Sequence, residues 1–67
     1  MAVLKVIEIM ASSEKGWEDA VKEAVKTASK SVKGIRSVYV QDQSAVVNDN
    51  QVIEYRINCK ITFEVFL

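Results

Sequence analysis

Ile53-Glu54-Tyr55-Arg56-Ile57-Asn58-Cys59-Lys60-Ile61-Thr62-Phe63-Glu64-Val65 alternates apolar and polar side chains without interruption. Successive residues of a strand point to opposite faces, so this stretch predicts a strand with one apolar and one polar face. Just before it lies Asn48-Asp49-Asn50, residue types that tolerate positive φ and favour a tight turn. Residues 35–47 are again β-branched and alternating, and the two segments are expected to form a long antiparallel hairpin. Further upstream, Trp17, Ala20, Val21, Ala24, Val25, Ala28 and Val32 recur at helical spacing, which predicts one buried stripe on a helix. Ser13 or Gly16 is the expected N-cap, Glu18 and Asp19 suit the positive end of the dipole, and Lys26, Lys30 and Lys33 suit its negative end. Gly34 is the expected left-handed stop. From Ala2 to Ala11 the aliphatic run, broken by Lys5 and Glu8, reads as a first strand. The order is β, α, β, β, in one domain spanning residues 1–67.

The lengths do not match. A strand over residues 53–65 runs ~45 to 50 Å, whereas a helix of about 17 residues is ~25 Å long and ~10 Å across. One helix cannot cover such a sheet, and the bare remainder must be buried by other copies of the chain. The chain of 67 residues is also short enough to need a staple. One Cys closes no intrachain disulfide, and without His the usual zinc sites are out of reach. Oligomerisation is what remains.

Nine basic and nine acidic side chains give a net charge of zero, without the basic excess that phosphate contacts require, so nucleic acid is not an expected partner. The apolar start, Met1 to Met10, carries Lys5 and Glu8 and has neither the charged start nor the long apolar run of a signal or a membrane span. A cytoplasmic protein without a membrane partner is expected. Chemistry is scarce as well. There is no imidazole, and Cys59 falls on the apolar face between Ile57 and Ile61, the setting of an inert thiol. No enzymatic activity is expected and no catalytic residue is assigned.

Taken in order, Lys5-Val6-Ile7-Glu8-Ile9, Ser12-Ser13, Trp17-Glu18-Asp19-Ala20-Val21, Ala28-Ser29-Lys30-Ser31-Val32, Ile35-Arg36, Glu54-Tyr55-Arg56 and Phe63-Glu64-Val65 resemble the dodecins across essentially the whole chain. The resemblance implies an α+β fold: a βαββ protomer whose three-stranded antiparallel sheet wraps around one helix, with twelve copies closing into a hollow homododecamer. The best-known dodecins sandwich paired flavin rings between Trp side chains from the start of the second strand and hold the ring edge with a Gln on the third. The matching positions here are Ser37 and Arg56. A guanidinium offers donors only, so Arg56 meets a ring carbonyl and not the ring N–H. Trp17 matches a packing Trp at the helix start and is expected to anchor the helix on the sheet. A branch of dodecin-like proteins lacks the stacking Trp, carries Tyr-Arg on its third strand and includes members described as calcium-binding. Ser37 with Tyr55-Arg56 resembles that branch. The Asn48-Asp49-Asn50 triplet lacks the Gly and distant Glu of an EF-hand and reads as a turn.

The polar face of the third strand is expected to be solvated and laced with cross-strand ion pairs. In a closed shell the same face can instead line contacts or a cavity, where Arg56, Asp42, Glu54 and Glu64 come together with their symmetry copies and bind a small ion. The metal ligands themselves are not assigned. The expected function is a non-enzymatic shell that binds, stores or buffers a small ligand or ion, calcium included. One alternative is a flavoprotein that sequesters riboflavin, FMN or FAD at two-fold interfaces with Tyr39 supplying the stack. Another is a scaffold shell without a small ligand.

Overall fold

The alternating stretch forms β3 (Gln51–Glu64), the central strand of a three-stranded antiparallel sheet in the order β1-β3-β2. The computed structural model describes residues 2–65; Met1, part of the apolar start considered above, lies outside them, as do residues 66 and 67. β1 (Leu4–Ser13) and β2 (Ile35–Asn48) flank β3, and α1 (Trp17–Ala28) lies across one face of the sheet. The hairpin turns at Asp49 and Asn50, with φ of 53° and 62°. Such a turn follows the natural twist of its strands.

β1 is shifted from its expected range, starting at Leu4 and including Ser12 and Ser13, which lie opposite Arg56 and Tyr55. Ser13 is buried and joins strand to helix: its Oγ donates to Asp19 Oδ2 at 2.6 Å and accepts the Lys15 N–H at 2.9 Å. Gly16, rather than Ser13, is the N-cap, and among the described residues no side chain caps the helix.

The helix is shorter than its apolar repeat suggests, ending at Ala28 instead of near Lys33. Ser29 Oγ donates to the Lys26 carbonyl at 2.7 Å, and the Lys30 and Ser31 amides bond three residues back, to Thr27 and Ala28. Serine side chains that compete for backbone partners, followed by a tightened last turn, end the helix within a sequence whose periodicity continues. Gly34, at φ 76°, therefore is not the helix stop but bends the chain into β2, and its carbonyl accepts the Glu64 N–H at 2.9 Å.

Ala20, Ala24 and Ala28 present a line of small side chains to Ile57, Cys59 and Ile61, and these six make the closed core. Val21 and Val32 pack beside it, while Val25 is half-buried outside it. Small residues permit close approach of helix and sheet but bury little area. Twelve helical residues span ~18 Å, against a long molecular axis of 51 Å. Phe63, on the same apolar face of the alternating stretch, is half-buried, and Ile53 and Val65 are exposed, because the helix ends short of them. The radius of gyration is 13.7 Å, where a compact chain of this length has ~11 Å.

Candidate functional site

On the face of β3 turned away from α1 stand Glu54, Arg56, Asn58, Lys60, Thr62 and Glu64. Cross-strand partners share a face, so the register lays out this surface in rungs. Val6, Thr62 and Ser37 form one; Glu8, Lys60 and Tyr39 the next; Met10, Asn58 and Asp42 a third; Ser12, Arg56 and Ser44 a fourth; Glu54 and Val46 a fifth.

All six residues singled out from the sequence lie on this face or at its end, but one chain does not bring them together. Ser37 is exposed, and Tyr39, one rung away, keeps 65% of its surface open. Arg56 is three rungs from Ser37, or ~20 Å at the strand rise, so the two positions that match the flavin site cannot hold one ring within a single chain. Asp42 is exposed opposite Asn58, whereas Glu54 is half-buried opposite Val46. Glu64 has a partner already: the Arg36 guanidinium donates to its Oε1 from Nε at 3.0 Å and from Nη2 at 2.5 Å. This pair clamps the end of β3 to the start of β2. Among the described residues no group of three or more Asp, Glu, Cys or His side chains is close enough to hold a metal ion.

Trp17 occupies the opposite face. Its indole Nε1 donates to the Ser44 carbonyl at 2.9 Å, and its ring meets Tyr55 edge to face with centroids 4.9 Å apart. It thus ties the first turn of α1 to both strands of the hairpin, as a packing residue does. Cys59 is fully buried beneath the helix, and burial pushes its thiol pKa up, away from the reactive thiolate.

Three features were not visible in the sequence. Arg36 meets Glu64 across 28 residues. A groove of about 540 Å³ runs between α1 and β1, with Ile7, Ile9, Ala24, Ala28 and Val32 along it beside Glu23 and Thr27. The Asn58 Oδ1 is buried and finds no hydrogen-bond partner among the described residues. Asn58 could have been suspected only from its place in the polar series, because its neighbours depend on the strand register.

The sequence matches the Dodecin family profile over residues 3–65. It is 41% identical over 64 residues to the calcium dodecin of Mycobacterium tuberculosis, covering 96% of this chain and 90% of that protein. The crystal structure of a calcium dodecin from M. tuberculosis, described as a calcium-chelating immunodominant antigen with a novel calcium-binding site, aligns with a TM-score of 0.84 at 38% identity, covering 97% of this chain and 93% of that one. A dodecin from Streptomyces coelicolor shares the fold at a TM-score of 0.93 and 24% identity, over 98% of this chain and 94% of that one. A sheet that outruns its helix, a family match over nearly the whole chain and a relative at 41% identity lead to one conclusion: this chain belongs to the dodecin family.

Proposed function

We propose that this protein is a non-enzymatic dodecin that assembles into a hollow homododecamer of one-domain protomers and binds a small ion, calcium, on the sheet face turned away from the helix. The observation that carries the reading is the 41% identity with a calcium dodecin across 96% of the chain. Three features of the chain support it. Its extended shape, 51 × 19 × 13 Å, leaves Leu4, Val6, Met10, Tyr39, Val47 and Val52 among its exposed large apolar side chains, surface that a stable protein covers by association. Ser37 supplies none of the stacking area that a flavin ring needs. The open face carries the carboxylates of Asp42 and Glu54, hard donors of the kind calcium takes. Calcium would supply charge and six to eight coordination positions and no redox chemistry; Asp42 and Glu54 would supply carboxylate oxygens from this face.

Sedimentation of the purified protein tests the assembly, with an expected mass of about 90 kDa for twelve chains of 7.5 kDa. A well-folded monomer or dimer overturns it. Titration with calcium chloride, followed by calorimetry, tests the ligand, and a heatless titration overturns the calcium reading.

A second reading rests on Tyr39, whose exposed ring lies one rung from Ser37: the shell binds riboflavin, FMN or FAD with tyrosine in place of the indole. A buried indole is worth ~4 to 6 kcal/mol at ~25 cal/mol per Å², and even ~3 kcal/mol retained after ordering costs exceeds a hundredfold in affinity. Riboflavin fluorescence is expected to quench little at micromolar protein and much more with Ser37→Trp combined with Arg56→Gln. Tight binding by the parent favours the Tyr39 reading over the first. A shell that assembles and binds neither probe is a scaffold.

A further inference from the structure

We draw no further inference here: the strongest candidate, the apolar groove between α1 and β1 along Ile7, Ile9, Ala24, Ala28 and Val32, carries none because nothing in the structure shows what covers it.

Discussion

At the middle of β3, Ile57, Cys59 and Ile61 lie against Ala20, Ala24 and Ala28 and are shut off from water, whereas at the hairpin end Val47, Val52 and Ile53 keep 62%, 50% and 45% of their surface exposed. Both regions are built from β-branched and aliphatic side chains on paired strands. They differ in what lies above them: a helix of ~18 Å covers the middle and none of the described residues covers the end of a 51 Å molecule. Apolar character alone therefore does not decide what is core here. Distance from the helix does, and the uncovered end carries apolar surface that the proposed assembly would cover.

The largest effect is expected where the chain closes on itself. Ile61→Ala removes a fully buried side chain and is expected to cost ~2–5 kcal/mol, read by chemical denaturation. A loss below ~1 kcal/mol, the range of surface changes, would show that the middle is not the closed core. Phe63 sits between the two regimes. Its half-burial predicts that Phe63→Ala costs less within one chain than the ~3–5 kcal/mol of a closed aromatic site, with the rest of the loss appearing as disassembly in sedimentation before unfolding. Unchanged assembly and melting would mean that this face is not packed against anything.

At the open end, Val52→Ser tests whether association covers the hairpin. If it does, the change forfeits up to ~1.5–3 kcal/mol per copy and lowers the concentration stability of the assembly. If the tip stays in water, stability moves by no more than ~0.5 kcal/mol, and the comparison between the two regions loses its functional meaning. The closed middle also has a pH signature. Burial raises the Cys59 pKa above its ordinary 9.0, so above that pH the unfolded chain loses a proton that the folded chain keeps. Stability is full below pH 9.0 and falls as pH rises past it, by up to ~1.4 kcal/mol per pH unit for one proton. Cys59→Ala is expected to abolish this slope between pH 9 and 10 in denaturation experiments; a parent curve as flat as the variant's would contradict the burial. Smallest of all is Glu64→Gln, which breaks the ion pair with Arg36 at the far end of β3. With the Arg36 side chain 55% exposed, a loss of ~0–1 kcal/mol is expected, and a much larger one would mean that assembly buries the pair.

How far the sequence could be read follows from the range of the interactions involved. Period-two alternation at residues 53–65 and the Asn48-Asp49-Asn50 turn are local, and the strand forms over Gln51–Glu64, two residues earlier at its start and one at its end than that alternation, with the turn at Asp49 and Asn50. The helix repeat is local too, yet its last turn is not: the Ser29 hydroxyl competes for backbone partners, and the apolar spacing runs on through Val32 after the helix has ended. Trp17 could be placed at the helix start as a packing residue, but its bond to Ser44 and its contact with Tyr55 join parts of the chain far apart in sequence.

The sequence by itself determined the order of elements, the apolar face of β3, the hairpin turn and the mismatch between a long sheet and a short helix, because each depends on residue type and on fixed rises per residue. Tertiary structure alone decided that Asp42 faces Asn58, that Glu64 is held by Arg36, and that only Ile57, Cys59 and Ile61 of the apolar series close into a core. The physical reason is register. One passed-over residue at Gln41 exchanges the faces of the β2 side chains from Asp42 to Val46, and which residue is passed over depends on the pairing with β3 rather than on residue type alone.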